Sequence, residues 1–225
     1  MQPTTPNIQQ TINMKLTTRA DRIRRILKKR YPEAVTPLFH ETPFQLLVAT
    51  ILSAQCTDNQ VNKVTRKMYN HLKTPDDFAR AQVKTIEKYI RSTGFYHNKA
   101  HNIKNCSKMI LEIHAGRVPD TLEELVKLPG VGRKTANVVL GAVFNTPGIV
   151  VDTHVGRISQ RLGFTTHKDP VKIEFDLMPI IPRKDWSDFS LRLVFFGREI
   201  CSARKPKCSI CPLFKLCPWP DKTAW

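Results

Sequence analysis

Four of the six cysteines, Cys201, Cys208, Cys211 and Cys217, are separated by six, two and five residues. Thiols crowded in this way, in a chain with no sign of a secretion signal, read as metal ligands rather than disulfide partners. Four sulfur donors suit a structural zinc ion or an iron-sulfur cluster, and the spacing does not separate the two. The other two cysteines, Cys56 and Cys106, stand alone in apolar runs and read as small core residues. A second feature is the string LPGVGRKTA from Leu128 to Ala136, where Gly130 and Gly132 are followed at once by Arg133 and Lys134. Glycines let a backbone turn sharply and come close to a ligand, and amides at the start of the next helix can point at a phosphate. A lysine placed there either touches a phosphate or acts as a nucleophile that forms a Schiff base. A third feature is Asp152, ahead of Thr-His-Val-Gly-Arg-Ile, where it reads as a helix N-cap.

The chain balances 36 Lys and Arg against 19 Asp and Glu, a formal charge of +17 over 225 residues. An excess of that size points to a polyanionic partner. Apolar runs are too short to cross a membrane, and the first fifteen residues lack the zones of a secretory signal, so a cytoplasmic or nucleoid location is expected.

The elements that must position these residues read as helices throughout. Thr18 and Asp21 resemble a capping box ahead of Ile23, Ile26 and Leu27, and Pro32 closes that segment. Thr42 and Pro43 open FQLLVATILSA, apolar on nearly every side and so a buried central helix. Thr57 or Asp58 starts a helix with Val61, Val64, Met68 and Leu72 on one face, and Thr74 with Pro75 starts another. Val83, Ile86 and Ile90 form a stripe ending at Gly94. Ile103, Cys106, Ile110 and Ile113 form the next, closed by Gly116 as a left-handed cap. Thr121 and Glu124 make a capping box for the helix leading into the glycines, and a long apolar helix follows to Phe144. No alternating run with turn dipeptides occurs, so the fold class is all-α. The Pro and Gly cluster from Asn145 to Gly148 marks a boundary between two lobes.

LPGVGRKTANVVL followed by VDTHVGRISQRLGF resembles the helix-hairpin-helix DNA glycosylase superfamily, over nearly the whole chain. The resemblance implies an enzyme of base excision repair, a DNA glycosylase with abasic-site lyase activity, working as a monomer on damaged or abasic duplex DNA. Oxidised pyrimidines would be its substrates. It places the catalytic pair on Lys134 and Asp152, and it assigns the four cysteines to a 4Fe-4S cluster. The hairpin residues Gly130, Val131, Gly132 and Arg133 would grip DNA, as would the basic loop residues Arg204, Lys205 and Lys207. LSAQCTD places a residue that fills the gap left by an extruded base at Gln55, and GFYHNKA places an apolar wedge at Phe95, an aromatic where relatives commonly carry leucine. The fold implied has a six-helix lobe over residues 36–146, with the hairpin at about 121–144. Residues 16–35 and 147–225 would form the cluster lobe, residues 1–15 a flexible extension, and the cleft would lie between the lobes. Two other readings share the hairpin: a monofunctional mismatch glycosylase, which Lys134 disfavours, and a non-catalytic DNA-binding module, which needs neither Lys134 nor Asp152.

Overall fold

The structure, a computed structural model, describes residues 8–222, with side chains from residue 15 onward. Every regular element among them is helical, so the all-α class holds. The chain divides into two compact units, one of residues 36–146 and one formed by residues up to 35 together with those from 147 on.

The first helix, α1 (Ile8–Arg30), starts well ahead of the capping box read at Thr18 and Asp21. Neither proline nor glycine interrupts residues 8–30, so nothing local stops the helix from extending upstream. Asp21 therefore sits mid-helix, where its carboxylate pairs with Arg24 at 2.6 Å and Arg25 at 2.8 Å instead of capping. Of the expected flexible extension 1–15, residues 1–7 lie outside the described residues, and the rest belong to α1.

Unit 36–146 is built round α2 (Pro43–Leu52). Thr42 caps it by accepting from Gln45 N at 3.2 Å, and residues 44–52 are all buried. Such a helix must be covered on all sides, and α3 (Asp58–Met68), α6 (Tyr96–His114) and α8 (Arg133–Val143) pack against it. Between them run α4 (Pro75–Arg80) and α5 (Val83–Ile90). Thr57 caps α3, and a complete capping box at Thr74 and Asp77 starts α4. Phe78 of α4 and Ile86 and Ile90 of α5 complete one core with Ile103, Cys106 and Ile110 of α6. The stripe of α6 stops at Ile110, and Ile113 is exposed. That helix closes through two left-handed residues, Ala115 as well as Gly116, whose amide reaches back to Ile110 O at 3.0 Å. A single turn, α7 (Leu122–Leu125), precedes the hairpin. Thr121 accepts from Glu124 N at 3.3 Å, but the Glu124 carboxylate turns away to Lys127 at 2.6 Å, so only half of the expected capping box forms.

In the other unit, α9 (Thr153–Arg161), α10 (Pro170–Leu177) and α11 (Trp186–Glu199) share a core with Ala20, Ile23 and Leu27 of α1. Helices α9 and α11 approach closely at Gly197, where a Cβ would lie 2.7 Å from His154 Nδ1 and 2.9 Å from Ile158 Cδ1. Arg192, 2% exposed, ties α11 to the end of α1 by donating to Tyr31 O at 3.0 Å. No described helix is long and apolar enough to cross a membrane.

Leu47, fully buried in α2, is the test of that centre. Leu47→Ala is expected to cost about 3 kcal/mol of unfolding free energy, read as a lowered urea midpoint by circular dichroism. A loss under about 1 kcal/mol would mean that α2 is not packed on all sides.

Candidate functional site

The hairpin is anchored from below. Leu128 and Val131 are buried, and Val131 N donates to Leu128 O at 3.1 Å. Val131, read from sequence as a DNA contact, is thus turned inward with its amide already used, and its part is to hold the turn. Gly130 has φ +79, and a Cβ there would lie 2.9 Å from Asn102 Cβ, so both conformation and space demand glycine. Gly132 differs from expectation: its φ of −91 and ψ of 172 suit any residue, and a Cβ there would meet nothing within 4 Å. Only one of the two glycines makes the turn. The other leaves the start of α8 open to whatever approaches. Arg133, half-buried, and Lys134, exposed, stand in the first turn of α8, whose amides have no internal acceptor.

Asp152 caps α9 with one oxygen, Oδ1, which accepts from His154 N and Val155 N, both at 2.8 Å. The cap holds the half-buried carboxylate still and does not use Oδ2. Next to it, burial keeps the His154 ring below the usual histidine range, and its Nδ1 lies 3.1 Å from Arg157 Nη2.

Gln55 and Phe95 share an unusual backbone state. Both are non-glycine residues with left-handed φ, 53 at Gln55 and 48 at Phe95, and both are exposed. Phe95 is 64% exposed, while its neighbour Tyr96 packs on the core.

Cys201, Cys208, Cys211 and Cys217 line one pocket with Ile158, Leu162, Phe196 and Leu213, and none is in a disulfide. Cys201 follows α11, and the other three lie in or beside short turns at Cys208–Ile210 and Phe214–Leu216. Four soft sulfur donors lining one pocket suit a bound metal group. Burial pushes the Cys211 thiol up to about 11 and raises Cys217 as well, so a metal must displace their protons to be held. Arg204, Lys205 and Lys207 are exposed on the loop between the first two cysteines, a loop braced by Ser202 Oγ on Arg204 O at 2.7 Å and by Lys207 N on Ile200 O at 2.9 Å. Cys106 is buried in the core of unit 36–146 and Cys56 packs against that same core, as their surroundings in sequence suggested.

Two arginines of α9 were missed from sequence. Arg157 donates to Cys201 O at 2.9 Å, and Arg161 donates to Cys201 Sγ at 3.2 Å while stacking on Trp219 at 4.0 Å. Their spacing of four places them on one helix face, but nothing local says that the face meets a cysteine loop forty residues away.

Residues 48–183 match the family described as HhH-GPD superfamily base excision DNA repair protein, and residues 201–217 match the iron-sulfur binding domain of endonuclease III. The chain belongs to the HhH-GPD superfamily of base excision DNA repair proteins. Within that class it is 52% identical to endonuclease III of Synechocystis sp. over 201 residues, 89% of this chain and 92% of that protein. It is 50% identical to endonuclease III of Bacillus subtilis, over 83% of this chain and 86% of the relative. A solved structure of a trapped endonuclease III–DNA covalent intermediate superposes with a TM-score of 0.86 at 45% identity, covering 90% of this chain and 95% of that one. The chain carries a 4Fe-4S cluster, and Cys201, Cys208, Cys211 and Cys217 are the residues that would hold it. When bound, it would draw the four cysteines of the segment 201–217 together.

The hairpin makes a direct test available. Gly130→Ala forces a left-handed alanine against Asn102, and binding to a duplex carrying a reduced abasic site is expected to weaken about tenfold, measured by fluorescence anisotropy. Unchanged affinity would mean that this turn does not meet DNA.

Proposed function

We propose that this chain releases oxidised pyrimidines from duplex DNA and then nicks the strand by β-elimination, with Lys134 as nucleophile and Asp152 as its carboxylate partner in the chemistry. The observation that carries this reading is the exposed amine of Lys134 in the first turn of α8, immediately after a hairpin whose Gly130 tolerates no other residue. The amine attacks C1′ of the damaged nucleotide, the bond from C1′ to the base breaks, and the base leaves with a proton. The attached amine loses a proton, O4′ takes one as the C1′–O4′ bond breaks, and the opened sugar is left as an iminium joining Lys134 to C1′. That cation acidifies the C2′ hydrogens; loss of one as a proton forms the C2′=C3′ double bond while the C3′–O3′ bond breaks, and its electron pair leaves with the 3′ phosphate. Water as the nucleophile gives no such intermediate.

Asp152 would steady the charge that grows on the sugar as the base leaves and would pass protons through Oδ2, while Oδ1 keeps the cap. Gly132, Arg133 and the first-turn amides of α8 would take backbone phosphates, as would Arg204, Lys205 and Lys207, contacts that hold DNA without reading sequence. Gln55 would fill the gap left by the extruded nucleotide and Phe95 would wedge beside it. The chain would work as a monomer on chromosomal DNA in the cytoplasm.

Borohydride reduction tests the intermediate. Incubated with a thymine-glycol duplex, the wild type is expected to form a covalent adduct, and Lys134→Gln to form none, with strand cleavage down at least about a hundredfold. Base release without an adduct in the wild type would make the chain monofunctional. Asp152→Asn separates the two roles of that residue, because asparagine caps as well as aspartate. Its melting temperature is expected to stay within about 2 °C of wild type, while turnover falls at least about a hundredfold. A large loss of stability with normal turnover would leave Asp152 a cap alone.

A further inference from the structure

Lys99 of α6 is 5% exposed, although it carries an ammonium. Its Nζ donates to three main-chain carbonyls, Leu52 O, Ala54 O and Thr93 O, each at 2.8 Å. Three donors meet three acceptors, so every N–H of the charged group is used. Leu52 ends α2, and Thr93 ends the short turn Arg91–Thr93, so the cation sits where two helical segments present their negative ends. Ala54 precedes Gln55, and Thr93 lies two residues before Phe95. One buried charge thus joins the two loops that carry the exposed left-handed residues. A second tie runs beside it, from Gln60 Nε2 to Ser92 Oγ at 2.6 Å. Left-handed backbone at non-glycine residues is costly and persists only where surrounding contacts over-determine it. Lys99 holds the carbonyls of Ala54, next to Gln55, and of Thr93, two residues before Phe95.

We propose that Lys99 is a positioning residue for duplex opening: its ammonium fixes the spacing and backbone state of the loops bearing Gln55 and Phe95, so that the two enter the helix as one rigid fork. This rests on the assignment of those two residues as gap filler and wedge. The fork matters only when a nucleotide must be drawn out of a stacked duplex. An abasic site in a single strand is already accessible, and the reaction at its C1′ does not call on the fork.

The discriminating quantity is the rate of borohydride trapping on an abasic duplex relative to the rate on the same abasic oligonucleotide as a single strand. Lys99→Met removes the three donors and is expected to lower the duplex rate about a hundredfold, as misplacement by about 1 Å can do, with the single-strand rate changed less than about threefold. Fluorescence of 2-aminopurine opposite the abasic site is expected to show slower extrusion to match. Equal loss on both substrates, or none on either, overturns the proposal, since a residue that merely supports folding moves both rates together. Visible absorbance of the cluster and thermal melting report whether the variant is folded. Should Lys99→Met fail to fold, Lys99→Arg is read by the same ratio, because a planar guanidinium keeps the charge but cannot aim three donors from one atom. A normal ratio in folded Lys99→Arg then overturns the proposal. Gln55→Ala and Phe95→Ala are measured in parallel. If neither lowers the duplex rate, the assignment of the loops has failed; if either does while Lys99 variants do not, only the role of Lys99 has.

Discussion

Helix α8 begins at Gly132, which has no side chain with which to cap it, and the amides of a first turn have no acceptor within their own helix. Four helix starts in this unit are filled by a threonine, at Thr42, Thr57, Thr74 and Thr121, whereas Gly132 gives α8 no side-chain cap. The hairpin below it cannot yield, because Leu128 and Val131 are sunk into the core and Gly130 is pressed against Asn102. Placing Lys134 one step into that open turn puts an amine where a phosphate backbone would be gripped. In the proposed mechanism the opening that would take DNA would also bring the nucleophile to it.

Helix α9 solves the opposite problem. Its first-turn amides are filled by its own Asp152, which buys a fixed carboxylate from an interaction the helix needs in any case. Further along the same helix, Arg157 and Arg161 reach Cys201, so the carboxylate of the proposed chemistry and the cysteine loop are set by one rigid element. The close approach of α11 at Gly197 lets those arginines arrive, since a side chain there would strike His154, Ile158 and Arg157. The segment 201–217 has little core of its own, Leu213 alone being fully buried, so a bound cluster would be its fastener.

Membership of the base excision repair family accounts for what the two helix starts have in common, which is a demand for precision without sequence reading. Phosphate-directed amides and exposed lysines bind any sequence, so selection of a damaged nucleotide falls to how readily it leaves the stack and to how the extruded base is then read. That shifts importance to the loops at Gln55 and Phe95, both held in strained backbone and both standing clear of the core.

Much of this was legible along the chain. Helix starts at Thr42, Thr57, Thr74 and Asp152, the hairpin at Gly130 and the cysteine spacing could all be read because each is set by residues a few positions apart, through capping, turn conformation or shared ligation. Local signals also misled, at Thr18 and Asp21, where a capping pattern lies inside a helix that had no reason to begin there, and at Gly132, whose backbone did not need glycine. The tertiary structure alone decided which hairpin residue faces inward, which arginines meet Cys201, why Gly197 must be small, and that Lys99 is buried beneath carbonyls from residues 52, 54 and 93. The reason is physical: main-chain carbonyls and an absent Cβ carry no side-chain identity, so contacts made to them leave no pattern in the order of the amino acids.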